Sequence, residues 1–388
     1  MFANVALILF LYVFLSYIYP LPLKKRHKAL LGLLALLSAG RLAILRFFWG
    51  GYGGVEVAKE VLLVTSFFQG LIFALFFLGL IRDLAWLLSF LGSFGHLKEK
   101  AARAREFLRG VPATVAIALF SAFLSLYTLH EGARVPDVVE TEVTLERWPS
   151  ELDRLRVVLL SDLHLCRLFD AQWAEEVVRR VNALSPDLIL IPGDLVDGEV
   201  SLRAPETEPL ARLRSPNGVY ISMGNHEYIS RLPDWLPAFK ALGLRVLYNS
   251  HEVIEIRGAP LVLAGVTDPS AERYALPGPD LRKALEGVPR DGPPTILLDH
   301  RPARAHGNAL DGRVDLQISG HAHGGPVPIV SWFVRAANGG FLKGWYQVGS
   351  LKMYAHPGSA LWSGFPARLW NPPEISLLTI RSPAPRDV

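Results

Sequence analysis

A single cysteine, Cys166, stands among 388 residues. That excludes an internal disulfide framework and leaves the redox compartment open, because a chain without bridges is at home on either side of a membrane. Methionine occurs 3 times and glutamine only at positions 69, 172, 317 and 347. Such scarcity suits a heat-adapted source, although genome base composition produces the same bias. Internal repeats and low-complexity tracts are missing. So is any long basic run interleaved with aromatics after residue 132, which disfavours a nuclease and disfavours nucleic acid as a partner, since both call for a basic groove with stacking rings. The net charge of +4 and pI near 9.1 have another explanation. Much of the positive charge sits in short loops between apolar runs, where membrane topology accounts for it.

Apolar residues are plentiful, at 51% with a mean hydropathy of +0.27, and the excess lies in the first third. Four apolar runs precede residue 132, namely Val5–Leu23, Ala29–Trp49, Val61–Ile81 and Val111–Leu129. Each is close to the roughly 20 residues that cross a bilayer. A signal peptide followed by buried helices fits poorly, because no small-residue cleavage site follows the first run. The stretch Leu84–Leu91 is too short to span, and it either extends the third helix or lies along the interface.

Loop one carries Lys24, Lys25, Arg26 and Lys28; loop three carries Arg82, Lys98, Lys100, Arg103, Arg105 and Arg109. The intervening loop offers Lys59 alone, and the segment after the fourth run opens with Glu131 and Arg134. Under the positive-inside rule, loops one and three are cytoplasmic. Four crossings then place the C-terminal part outside, so a multi-pass cell-membrane protein with an extracytoplasmic domain is expected. Arg41 and Arg46 fall within the second run, where a cation needs a partner, water or a lipid phosphate. Either Arg46 snorkels while Arg41 pairs within the bundle, or these residues contact a phospholipid.

From Val135 the pattern becomes α/β, with short buried strands at Arg156–Ser161, Asp187–Ile191, Gly218–Met223, Leu261–Val266, Thr295–Leu298 and Asp315–Ser319. Helices are expected at Ala171–Leu184, Pro233–Leu242 and Asp280–Leu285. Two parts follow: residues 1–131 as a transmembrane anchor of about four helices, and residues 132–388 as a second domain. Candidate metal ligands come just after five of the strands: Asp162 and His164, Asp194, Asn225, His300, then His321 and His323. Ligands in α/β sheets gather outside the carboxyl ends of strands. Taken singly, Asp162-Leu163-His164 reads as a polar loop, Gly193-Asp194 as a turn, and Asn225 as a helix N-cap. The pair His321 and His323 amid Gly320, Gly324 and Gly325 is harder to dismiss, since glycine lets the backbone approach an ion.

In their order the blocks SDLHL, GDLVD, GNHE, DHRP and GHAHGG resemble the calcineurin-like metallophosphoesterase superfamily, over roughly residues 153–380 and most closely its bacterial membrane-anchored branch. The resemblance implies a domain of two mixed β-sheets packed together and flanked by helices. It implies one metal held by Asp162, His164, Asp194 and His323, and a second held by Asp194, Asn225, His300 and His321. His226 matches the histidine that contacts the scissile phosphate, and with Asp194 it completes the catalytic pair. Two cations about 3.5–4 Å apart bind phosphoryl oxygens and generate hydroxide. Imidazole, amide and carboxylate donors favour Mn²⁺ first, with Fe²⁺ or Zn²⁺ next.

The expected function is therefore metal-dependent hydrolysis of a phosphodiester or pyrophosphate bond, on a membrane lipid or lipid-linked head group. The alternatives are a broad phosphomonoesterase and a membrane scaffold or sensor with a retained metal site. Oligomeric state stays open. Pro326 stands where many relatives carry glutamine, and Tyr354–Gly358 only loosely matches the loop that closes the family pocket. His356 either contacts substrate there or is an exposed loop histidine, the reading that loop priors favour. Asp197, Glu227, Asp268 and Asp299 are candidate supporting carboxylates, while His251 and His306 are structural.

Overall fold

The computed structural model describes residues 2–49, 55–92 and 97–384, so the last four residues of the 132–388 segment lie outside the described residues. The chain divides into two compact units. One comprises Met1–Gly51, Val57–His130 and Gly364–Ala367, and the other comprises Tyr52–Glu56, Glu131–Ser363 and Arg368–Val388.

The helical unit contains α1 (Phe2–Val13, continued to Ile18 as a π-turn), α2 (Lys25–Ala39), α3 (Arg41–Trp49), α4 (Lys59–Leu88), α5 (Lys98–Arg109) and α6 (Val111–Ala133). Among the described residues two helices, α4 with its extension to Gly92 and α6, are long and apolar enough to cross a membrane. The second apolar run differs from a single straight span: α2 and α3 meet at 60°. Gly40 caps α2 there, with its N–H on Leu36 O at 2.8 Å, and α3 begins at Arg41. Counting that bent pair as one span gives up to three crossings, and Ala3–Ile18 is a shorter apolar helix. The stretch from Leu84 continues α4. Arg41 is buried and donates to Thr65 Oγ1 at 3.0 Å, Gln69 Oε1 at 3.0 Å and Gly364 O at 2.8 Å.

The second unit holds strands β1 (Asp137–Thr144), β2 (Leu155–Leu159), β3 (Leu188–Ile191), β4 (Val219–Ile221), β5 (Arg245–Val246), β6 (Ser250–Ile256), β7 (Ala259–Gly265), β8 (Thr295–Leu298), β9 (Leu316–Ser319), β10 (Gly344–Val348), β11 (Leu351–Ala355) and β12 (Glu374–Arg381). Its helices are α7 (Ala171–Ala183), α8 (Val200–Thr207), α9 (Asn225–Ile229), α10 (Leu232–Ala241), α11 (Leu281–Ala284), α12 (Ala305–Asn308) and α13 (Pro328–Ala337). The strands form two six-stranded sheets, in the orders β1-β12-β2-β3-β4-β5 and β10-β11-β9-β8-β7-β6. Both are mixed: β2 to β5 run parallel beside antiparallel β12, and β7, β8, β9 and β11 run parallel between antiparallel β6 and β10.

Strand side chains alternate between faces, and here both faces are apolar. Val157, Leu159, Leu188, Leu190 and Tyr220 share one core with Leu261, Leu263, Ile296, Leu298, Leu316 and Ile318 from the opposite sheet. The intervening Val262, Ala264 and Leu297 turn outward and pack with Ala284, Leu285 and Ala305. Strands β1, β5, β6, β10, β11 and β12 go beyond the six expected. β1 (DVVETEVT) is polar and largely exposed at a sheet edge, which gives a buried-strand pattern nothing to detect.

Candidate metal centre

The loops that leave the carboxyl ends of β2, β3, β4, β8 and β9 carry the named side chains. Parallel pairing continues past the first two strands: Asp162 N–H donates to Gly193 O and His164 N–H to Asp194 O, both at 3.1 Å, and Leu165 bridges Val196. Glu227, on α9, ties the next loop in. Its carboxylate accepts from Asp194 N at 3.0 Å, Leu195 N at 2.6 Å and Gly224 N at 2.7 Å. Glycine is required where these loops touch: a Cβ on Gly224 would fall on Asp194 Oδ1, and one on Gly320 on Ser161 Oγ and Asp162 Oδ2.

Five of the seven candidate ligands have left-handed backbone: Asp162 (φ 55°), His164 (45°), Asp194 (54°), His321 (65°) and His323 (47°). Each such residue costs on the order of 1–3 kcal/mol and persists only where its surroundings impose it. The strain turns successive side chains inward. Asp162, His164, Asp194 and His300 are fully buried, and His321 and His323 are partly exposed.

Two groups form, each with its ligand atoms within 4.8 Å of one another: Asp162, His164 and His323, and Asp194, His300 and His321. They adjoin at Asp194, whose Oδ2 lies 3.1 Å from His300 Nε2 and 3.9 Å from His164 Nε2. His164 Nε2 faces His323 Nε2 at 3.4 Å, and His323 Nε2 is 3.5 Å from Asp162 Oδ1. His164, Asp194 and His226 make a further close group.

The donors fit divalent cations. Asn225 Oδ1, His300 Nδ1 and His323 Nδ1 are buried without a hydrogen-bond partner among the described residues, an arrangement that buried polar atoms seldom adopt unless something else satisfies them. Burial, reinforced by neighbouring cations, pushes His323 down to about 3 and His321 well below the ordinary imidazole value, so both are neutral and each carries a lone pair on one ring nitrogen. Burial opposes ionisation of Asp162 and Asp194, yet the imidazoles around them lower both, Asp194 to well below the usual carboxylate range.

Asp197 accepts from two rings with the same oxygen, His164 Nδ1 at 3.1 Å and His226 Nδ1 at 2.6 Å. An ionised carboxylate only accepts, so each ring carries its proton on Nδ1 and turns Nε2 inward. His226 also donates its backbone N–H to Asp194 Oδ1 at 2.8 Å. Burial works against charging His226, but Asp197 and Asp194 outweigh it and raise it to about 10.

Two arginines escaped the sequence reading. Arg301 is gripped by the buried Asp268 just beyond β7, at 2.6 Å through Nε and 3.3 Å through Nη2, and its Nη1 lies 2.5 Å from His321 Nε2. Arg368 is fully buried and donates to the carbonyls of His323, Pro357, Gly358, Ala360 and Asn371, which fastens the closing loop. A strand ending in Asp and followed by Arg next to a histidine was the only hint of the first; nothing local marks the second. His356 corrects an expectation. It is fully buried rather than exposed, with Nδ1 accepting from Gly358 N at 2.9 Å, because its backbone continues the β11–β9 pairing, its N–H donating to Ser319 O at 2.7 Å. Asp299 is buried and accepts from Arg304 Nε at 2.9 Å and Asn308 Nδ2 at 2.8 Å. His251 and His306 pair with backbone carbonyls of Ala284 and Gly339.

Residues 155–325 match the family model described as calcineurin-like phosphoesterase. The chain is 34% identical over 323 residues to a protein of Danio rerio named transmembrane protein with metallophosphoesterase domain, covering 80% of this chain and 70% of that one. It is 37% identical over 279 residues to the protein of the same name from Bos taurus, covering 68% and 61%. To a metallophosphoesterase of Helicobacter pylori strain J99 it is 32% identical over 297 residues, covering 76% and 77%. It thus spans about two thirds of the length of the two vertebrate relatives. The matched residues hold every metal-ligand candidate, and the chain belongs to the calcineurin-like phosphoesterase family.

Proposed function

We propose that this chain is a membrane-anchored dinuclear phosphoesterase that cleaves a phosphodiester or pyrophosphate bond, with a membrane lipid or lipid-linked head group as substrate. Residues 1–131 form its anchor, crossing the bilayer four times with the bent α2–α3 pair as one crossing, and residues 132–388 form an extracytoplasmic catalytic domain. The loop charges support this orientation. Asp162, His164, Asp194 and His323 hold one cation; Asp194, Asn225, His300 and His321 hold the other. Mn²⁺ is the first choice, then Fe²⁺ or Zn²⁺. The observation that carries the reading is the position of Asp194 where the two ligand groups meet, with one carboxylate oxygen near a histidine of each.

Bound there, two divalent cations neutralise phosphoryl oxygens and make hydroxide available near neutral pH. The chain itself supplies orientation and a proton. Asp197 fixes the His164 and His226 rings, and a protonated His226 donates from Nε2 to the leaving oxygen. Arg301 adds a guanidinium beside His321, aimed by Asp268. An extra cation favours a dianionic group, and this one observation supports the second reading, a phosphomonoesterase. Turnover of chromogenic mono- and diesters by the Mn²⁺-loaded full chain and by Arg301→Lys separates the two. Diester preference that survives Arg301→Lys supports the first reading; monoester preference lost in the variant supports the second. Absence of turnover on any phosphoester would reject both.

A further inference from the structure

The turn that carries His323 runs through Gly324, Gly325 and Pro326 directly into α13, PIVSWFVRAA. This helix exposes its large apolar residues: Val330 is 40%, Phe333 64% and Trp332 70% accessible. Arg335 is exposed on the same short helix, with Nη1 on Gly340 O. A third exposed ring lies close by in the hydrogen-bond network. Trp370 is 76% accessible, and its neighbours are pinned to the root of α13, with Leu369 N donating to Pro326 O at 2.8 Å and Asn371 Nδ2 to Gly325 O at 2.5 Å. Ser331 Oγ closes the same turn by donating to Gly325 O at 2.9 Å.

Exposed tryptophan and phenylalanine beside a cation are costly in water and well suited to the head-group layer, where an amphipathic helix lies in the plane with its apolar side buried about 5–10 Å deep. Tryptophan in particular gathers at that depth. The chain brings its own bilayer, since it contains helices long and apolar enough to span one. The tether holds any such surface near lipid at high effective concentration, so each buried ring adds little ordering cost.

We infer that Trp332, Phe333 and Trp370 form a rim that seats in the interfacial layer of the membrane anchoring the chain, with the metal centre opening beside it. The inference rests on membrane anchorage and not on which phosphoester is cleaved. A substrate lying in the bilayer then reaches the centre without leaving the head-group layer, and a soluble one reaches it from the water side.

Cys166 is the one native thiol, and it is buried, so single cysteines introduced at Trp332, Phe333 or Trp370 in a Cys166→Ala background take a nitroxide label cleanly. The full chain is reconstituted in phosphatidylcholine–phosphatidylglycerol vesicles, and each label's collision with oxygen and with a water-soluble nickel chelate is measured. Labels at the three rim positions should favour oxygen, whereas a label at Leu310, equally apolar and 86% exposed, should favour nickel. Nickel access at the rim matching that at Leu310 would overturn the inference, as would a rim closed to both reagents, which signals a protein partner. The Trp332→Glu/Phe333→Glu pair, checked for an unchanged thermal melt, should lower turnover of a vesicle-embedded phosphoester by about tenfold or more while sparing a soluble diester. Equal loss on both substrates contradicts it, and failure of the wild type on every lipid leaves the label measurement to decide.

Discussion

Asp197 holds two imidazoles with one oxygen, and among the described residues no other side chain accepts from both. Asp197→Ala should therefore cost about 10–100-fold in metal affinity or turnover, although Asp197 is not among the proposed ligands; titration with Mn²⁺ followed by a rate assay checks this. His226→Gln should lower turnover by about 10²–10⁴-fold with metal content nearly intact, because it removes a proton donor and not a ligand. Unchanged turnover would remove His226 from the mechanism. Protonation gives a third test. In the metal-free protein His226 is raised to about 10 and His300 to about 9, against an ordinary value of 6.5, despite burial that opposes the charge. A raised folded value means that the proton stabilises the native state below pH 6.5 and that this contribution is lost as pH rises through 9 to 10. Chemical denaturation of the metal-free protein should show stability falling over that window, and added Mn²⁺ should flatten the fall by replacing protons with cations. At this scale the sequence was legible where residue type and strand position coincide, as in Asp162, His300 and His321. Arg368 was not legible, since its role is set by five carbonyls brought together only by the fold.

The elements explain why those side chains converge. Strands β2, β3, β4 and β8 are apolar and buried on both faces, and β9 is fully buried with Leu316 and Ile318 on one face, so they read clearly as buried strands, and each ends at a loop bearing a candidate ligand. The edge strand β1 shows the reverse: its exposed side chains carry no burial signal, and its pairing with β12 spans more than 230 residues of sequence. The bend between α2 and α3 was likewise hidden, because Gly40 inside an apolar run is equally compatible with a straight span. Close loop contact yields an element-scale prediction. Gly320→Ala drives a methyl into Ser161 and Asp162, so it should destabilise the fold by about 1–3 kcal/mol and weaken metal binding, as read by thermal unfolding with and without Mn²⁺. An unchanged melt would show that the loop has room to yield.

For the whole molecule, two units with different solvents share one chain. The helical unit has an apolar exterior and a few buried polar groups, while in the α/β unit the left-handed ligand residues lie just past the carboxyl ends of parallel strands. The proposed orientation predicts that a protease unable to cross membranes digests the region after residue 131 in intact cells and leaves loops one and three protected; the opposite pattern would invert the topology. The central claim is narrower: one carboxylate, Asp194, serves two cations. Metal content per chain, measured by mass spectrometry on Mn²⁺-loaded wild type and on Asp194→Ala, tests it most directly. Two ions per chain in the wild type and loss of both in the variant are predicted. One ion in the wild type, or an Asp194→Ala protein that keeps a full site, would contradict the account.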